Sequence, residues 1–560
     1  MFGLPELDYV ICLQLTRHDL AQCARVNRTW HTAIIPYLWG DLTKCTDSQQ
    51  HAFAKLVRED YYNEHGRREL SQESHDPQGP TQAQSALPLS ALAKYGPLIR
   101  ALGDPDMFLQ LSKGQEEEST KLQLLLHVLK RCYAAQLSFF HLKYDKLESD
   151  ERIKEIGELV LPRVHNLSVQ ASFRGRRGEL WKLKYLLCQC STSLKRLTLE
   201  VDYSFADEVD TYRGYDKDFD KEEEGSEAIE SSKWTSLKDL VLYPRSCVGE
   251  LQPSTFWSWF FKRCGQVERL DVSKFRRGTA SSIARNMLDH MPLLNEITLG
   301  HNPEEDFPIS TMNEDRVAEL LHGSHQGWKV VRLKGTARFG NDSLDALRRH
   351  FPTLQELRMD RHTSGLHGLD LLQVLSSCPN LHTVHGDTAG YAFSSEVLID
   401  WDPNTDAPRT WACETSLKKF ILRITDIPRP DLNVEIGVEP DQAQEIQSRV
   451  YDRLARFTNL ETLWLGNKPY EPTRARMFRV ERQQDCLELS LESGLGKLSG
   501  LRNVRELSVS DMATKIGVKE AKWMAEHWPR LQVVHGLDTL GPGKEAAEWL
   551  REHCPEIKLL

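Results

Sequence analysis

Few groupings of residues in this chain have the types and spacing that chemistry requires. Cys188-Gln-Cys190 brings two thiols close enough for a thiolate metal site, yet no second pair stands at ligand spacing. The segment also reads as a helix leading into a strand at Leu194, so core packing accounts for both thiols. Val-His-Gly occurs at 384–386 and again at 534–536, putting His385 and His535 at equivalent strand ends. They belong to repeats far apart, and repetition of a structural unit explains them more simply than a shared ligand does. Gly494-Leu-Gly496 and Gly541-Pro-Gly543-Lys544 lack the strand-to-helix setting of a phosphate loop and read as turn glycines. There is no Walker-type lysine loop, no His-Glu-x-x-His and no Gly-x-Ser-x-Gly. The run from Asp216 to Glu224 reads as a solvated acidic loop. No catalytic, cofactor-binding or metal-ligating set emerges, and a protein without catalytic chemistry of its own is expected.

What recurs instead is a frame for presenting side chains. Between Asp342 and Gly386 two copies of one unit follow each other without insertion. The first has an apolar helix face at Leu344, Leu347 and Phe351, then Leu354-Gln-Glu-Leu357-Arg-Met359; the second has Leu371, Leu372, Val374, Leu375 and Cys378, then Leu381-His-Thr-Val384-His385. The leading leucines, Leu354 and Leu381, lie 27 residues apart. A helix-strand pair this small cannot bury its own apolar face and needs copies of itself on both sides. This is the period and grammar of a leucine-rich repeat, so the fold class expected is an α/β solenoid with a parallel sheet inside and helices outside.

Strand signatures of this kind lead at Ala134, Val164, Leu194, Leu237, Val267, Leu294, Trp328, Leu354, Leu381, Leu417, Leu460, Val504, Leu531 and Ile557. Their spacing averages about 33 residues, above the usual repeat, because a few intervals hold insertions. Insertions are expected near 203–232, 428–441 and 468–484. Within each signature residues i, i+3 and i+5 point into the core, whereas i+2 and i+4 stand on the concave wall of a stack that bends into a horseshoe. Substrate-binding candidates on that wall are Tyr243, Arg269, Arg332, Arg358, His385, Trp464 and His535. Trp464 and Tyr243 are outward aromatics, the usual form of a binding anchor, although Trp464 can equally cover a neighbouring strand.

Composition bounds the partners. Lys plus Arg number 71 against 81 Asp plus Glu, a formal charge of −10, and no dense basic stretch tracks a phosphate backbone, so nucleic acid is not an expected partner. No run approaches the ~18 apolar residues of a membrane span, and the start has no signal-peptide pattern. The 12 cysteines read as reduced core residues, which places the chain in the cytoplasm, the nucleus or both.

The first forty residues differ from the rest. Leu7, Val10 and Ile11, then Leu20, Cys23 and Val26, then Trp30, Ile34, Leu38 and Trp39 mark three short amphipathic helices, too small to cover their own apolar groups. The order Leu4-Pro5-Glu6, Asp19-Leu20, Val26-Asn-Arg28-Thr-Trp30 and Leu38-Trp39 resembles the F-box, which docks on the SKP adaptor of cullin-RING ubiquitin ligases. It departs from that pattern in a shortened first helix and in Asn27, where a second cysteine is common. The layout as a whole resembles the F-box and leucine-rich-repeat proteins numerous in filamentous fungi. The resemblance implies adaptor docking through Leu4, Pro5, Leu7, Val10, Ile11, Leu20, Val26, Trp30, Leu38 and Trp39, and a substrate protein held on the wall, with no cofactor. Three spans follow: 1–43 as the docking module, 44–97 as a helical linker with a mobile polar loop at 65–88, and 98–560 as the solenoid. The alternative is a repeat-protein scaffold or inhibitor outside ubiquitin signalling, with the helices as a polar cap.

Overall fold

The structure is a computed structural model. It describes residues 17–25, 34, 57, 60–62, 94, 96–99, 101–102, 118–132, 136–143, 150–172, 180–190, 192–202, 234–244, 255–273, 280–300, 313–334, 337–359, 368–386, 392–405, 407–432, 438–466, 483–537 and 541–560. The chain divides into two compact units, Met1–Ser246 with Pro253–Val267, and Cys247–Gln252 with Glu268–Leu560. The division falls inside the span 98–560.

In the first unit, helix α1 (Arg17–Ala24) comes first, and β1 (Ala101–Leu102) pairs with β2 (Gln136–Leu137) in parallel. Four further parallel strands follow in sequence order: β3 (Phe140–Lys143), β4 (Asn166–Ser172), β5 (Arg196–Asp202) and β6 (Asp239–Pro244). Parallel neighbours need a crossover, and helices α2 (Glu118–Arg131), α3 (Asp150–Glu155), α4 (Leu180–Cys188) and α5 (Thr255–Phe261) alternate with the strands. Leu125, Leu126 and Leu129 of α2 are buried, as are Leu197 and Leu199 on the alternate face of β5. The linker is tied to this unit by a buried pair: Asp60 and His127 of α2 meet at 2.8 Å, and the Tyr61 hydroxyl donates to Gln123 at 2.8 Å.

Among the described residues, ten strands of the second unit join one parallel sheet: β7 (Arg269–Val272), β8 (Glu296–Leu299), β9 (Val330–Leu333), β10 (Glu356–Met359), β11 (Thr383–Gly386), β15 (Lys419–Ile421), β17 (Thr462–Trp464), β18 (Glu506–Ser508), β19 (Val533–His535) and β20 (Lys558–Leu559). Helices α6 (Ala280–His290), α7 (Glu314–Leu321), α8 (Asn341–Arg348), α9 (Gly368–Ser377), α10 (Ser395–Ile399), α11 (Pro440–Ala455), α12 (Val518–His527) and α13 (Pro542–His553) link them. Most strands begin two residues after a leading residue named from the sequence. Those leaders are the core: Leu294, Trp328, Leu354, Leu381, Leu417, Leu460 and Val504 are fully buried. One backbone device repeats at each strand start. Asn295 and Glu296 both donate to Glu268 O, Lys329 and Val330 to Asn295 O, Gln355 and Glu356 to Lys329 O, and the pattern runs on to Gln532 and Val533 on Arg505 O. Each unit thus fixes the register of the next, which the period-2 alternation of the strands requires.

One insertion was not legible as structure. Between β11 and β15 the chain adds β12 (Ala392–Ser394), α10 and a hairpin of β13 (Trp401–Asp402) and β14 (Ala407–Pro408); β12 pairs with β16 (Arg423–Thr425). Arg453 of α11 holds it in place. Its guanidinium, fully buried, donates to Leu398 O, Arg409 O, Ile399 O and Asp400 O, meets Glu414 Oε1 at 3.0 Å and lies 4.1 Å over the Trp411 ring. Burial pulls this guanidinium down to about 10, against the Glu414 carboxylate that holds it up, so it stays charged at neutral pH. The loop expected over 428–441 is ordered at both ends. Arg429, 1% exposed, donates to both Asp431 carboxylate oxygens at 2.9 Å and to Ala513 O at 2.7 Å, and Pro440 already opens α11. Of the insertion near 468–484, residues 468–482 lie outside the described residues, and Gln483 is buried and bridged to Met512. The insertion near 203–232 lies outside the described residues.

Candidate functional site

In the second unit the strand alternation leaves two rows of side chains on the face opposite the buried core. One row, in register, is Arg269, Glu296, Val330, Glu356, Thr383, Lys419, Thr462, Glu506 and Val533. The other is Asp271, Thr298, Arg332, Arg358, His385, Ile421, Trp464, Ser508 and His535, carried by the same pairings. Neighbouring strands stand about 4.8 Å apart, so residues adjacent in a row are close enough to meet one partner group.

Two groups on this face have defined geometry. At β8–β10, Arg332 reaches diagonally to both flanking strands: Nε donates to Glu356 Oε1 at 3.1 Å and NH1 to Glu296 Oε2 at 3.5 Å. Arg358 follows Arg332 in register and has no carboxylate of its own within 4 Å among the described residues. At β17–β19, the His535 ring donates through Nε2 to Glu506 Oε1 at 2.9 Å, because a carboxylate only accepts. The same ring meets Trp464 at 5.5 Å between centroids and 61° between planes. Ser508 lies between them, fully buried, its hydroxyl 3.4 Å from Ser510 Oγ. Trp464 Nε1 and His535 Nδ1 are enclosed without hydrogen-bond partners.

Beyond these rings the backbone crowds. A Cβ on Gly466 would come within 2.2 Å of Ser510 O, and Gly536, at φ +76°, would bring one within 2.3 Å of Ser510 Cα. Glycine is required at both places, one for close approach and the other for its left-handed conformation.

Of the expected wall residues, Arg269 is exposed, and Arg332, Arg358, His385 and Trp464 are half-buried on the sheet face opposite the core of the second unit. His535 sits in the same row but is only 8% exposed, covered as it packs on Trp464 and Glu506, so it is a support for the wall rather than an open contact. His385 and His535 are four strands apart and share no ligand position. Tyr243, half-buried, belongs to β6 of the first unit, in register with Glu200. The acidic partners Glu296, Glu356 and Glu506, the cation Lys419 and the small Ser508 were not singled out as site residues from the sequence. Their i+2 or i+4 position was the only signal they gave.

Leu20, expected to dock the adaptor, is 5% exposed and shares the buried face of α1 with Ala24. The other docking candidates, Leu4, Pro5, Leu7, Val10, Ile11, Val26, Trp30, Leu38 and Trp39, lie outside the described residues. Among the described residues no group of His, Cys, Asp and Glu could hold a metal ion, and no helix is long and apolar enough to cross a membrane. The cysteines described are free and mostly buried; burial pushes the Cys132 and Cys413 thiols up to about 12 and Cys486 to about 11, so none is a thiolate nucleophile at neutral pH. No family model matches the chain, and no curated protein matches it.

Proposed function

We propose that the chain is a substrate-recognition adaptor of a SKP-cullin-F-box ubiquitin ligase: its first forty residues dock on the SKP-type subunit, and the free face of its leucine-rich repeats holds a target protein. The observation that carries this reading is the order Leu4-Pro5, Leu20, Val26-x-Arg28-x-Trp30, Leu38-Trp39 at the head of a strand-helix array. The array supports it by displaying two long rows of polar and aromatic side chains on a rigid scaffold, a form suited to binding a protein surface. Catalysis needs only proximity, because tethering raises the effective concentration of the target's lysines. The Asp60–His127 pair serves that purpose by holding the linker to α2.

Co-purification with a SKP-type subunit tests the reading. Association of the full chain, lost in a Leu4→Ala, Pro5→Ala variant that keeps its circular dichroism, is the expected result. A folded wild-type chain that does not associate overturns it and leaves the repeat-protein scaffold outside ubiquitin signalling.

A further inference from the structure

We propose that the sheet face of the second unit opposite its buried core, between β10 and β17, takes an extended acidic segment of a partner protein, with carboxylates over Arg358 and Lys419 and an apolar side chain against Trp464. The proposal rests on the reading above only in that the face binds protein; the ubiquitin side is independent of it.

The first observation is an imbalance of charge. Arg332 and Arg358 stand side by side in register, one strand spacing apart. Arg332 is answered twice, by Glu296 and Glu356. Arg358 is not answered, nor is Lys419, which is exposed two strands away on the adjoining row; neither has a carboxylate within 4 Å among the described residues. Two uncompensated cations flank β11, and a guanidinium fork takes a carboxylate through two parallel hydrogen bonds.

The second observation is what adjoins them. Past His385 the same row runs to Ile421, which is covered, and then to the half-buried Trp464. The indole is held edge-on by His535, itself fixed by Glu506, so its position is set before any partner arrives. Rigid aromatic anchors of this kind carry disproportionate binding energy. From Arg358 to Trp464 is three strand spacings, about 14 Å, which an extended chain spans in about four residues. The segment therefore reads acidic residue, spacer, apolar residue. A nucleic acid fits less well: Asp271, Glu296, Glu356 and Glu506 are interleaved on the same face and would repel a continuous phosphate backbone.

The test is selection from a random peptide library displayed on phage, with the full chain immobilised as wild type, as an Arg358→Glu, Lys419→Glu double variant and as Trp464→Ser. The wild type should enrich Asp or Glu followed about four residues later by Leu, Ile, Met or Phe. Charge reversal should switch the enriched residues to Lys or Arg, a gain that unfolding cannot produce. Trp464→Ser should keep the acidic preference and weaken a synthetic consensus peptide about tenfold. Enrichment without acidic bias, the same consensus from the charge-reversed variant, no enrichment, or displacement of the peptide by oligouridylate each overturns the proposal. SKP association is unaffected by these substitutions, so failure here and failure of the docking reading are separate results.

Discussion

The rings of Trp464 and His535 meet 5.5 Å apart although strand β18 runs between the strands that carry them. Two strand spacings are about 10 Å, so both side chains lean inward over the residue between, and that residue is the small, fully buried Ser508.

Ser508→Leu should therefore push the two rings apart. Overpacking of a closed site costs about 1–3 kcal/mol. Urea unfolding monitored by circular dichroism should register that loss, while Ser508→Ala, which keeps the space, should cost much less. Equal stability of the Leu variant and the wild type would show that the rings do not close over Ser508.

Arg453 satisfies four carbonyls from the β11–β15 insertion as well as Glu414. Its loss leaves several buried carbonyls without this donor and Glu414 with Arg456 as its remaining cation, so Arg453→Ala should destabilise the chain by about 3–5 kcal/mol. Lysine should restore little, since a point charge cannot reach the same set of acceptors. Hydrogen exchange should rise in 392–414 before it rises in the neighbouring strands. Uniform exchange across the unit would contradict this.

Acid should act partly through Asp431. Hydrogen bonds from the Arg429 guanidinium, with Lys515 3.3 Å away, hold its carboxyl at about 2, below the ordinary carboxylate value. A depressed folded-state value stabilises fully above the unfolded value of about 3.9 and is lost as pH falls through that window toward 2. Asp431→Asn should be less stable than wild type at neutral pH, with the gap closing between about pH 4 and pH 2. A gap independent of pH would assign the effect to packing.

Thiol chemistry gives a readout of the core. Cys132, Cys190, Cys264, Cys378, Cys413 and Cys486 are buried, and burial raises every one of their thiols. At mildly alkaline pH iodoacetamide should spare these six in the native chain and label all of them in urea, as counted by mass spectrometry. Rapid native labelling at any of them would place that repeat in an open state.

Residues 4–39 and the strand array carry different kinds of signal. The sequence alone determined the repeating unit, the positions of the ten second-unit strands that join the large parallel sheet, and the face each of their side chains takes. All of these follow from local periodicity: a leucine at i with apolar partners at i+3 and i+5 buries the same side wherever the unit stands. Order alone suggested the resemblance of residues 4–39. Only the tertiary structure decided which wall residues are answered by their neighbours. Arg332 and Arg358 are equivalent in the pattern, yet one is clamped by two glutamates and the other has no carboxylate within 4 Å among the described residues. His535 looked as exposed as His385 and is covered. Such differences depend on side chains reaching across strands whose residues are some 24 to 44 positions apart in sequence, and on insertions such as 392–411 that one buried arginine draws into the core. Register and reach are properties of the assembled sheet, and no single repeat contains them.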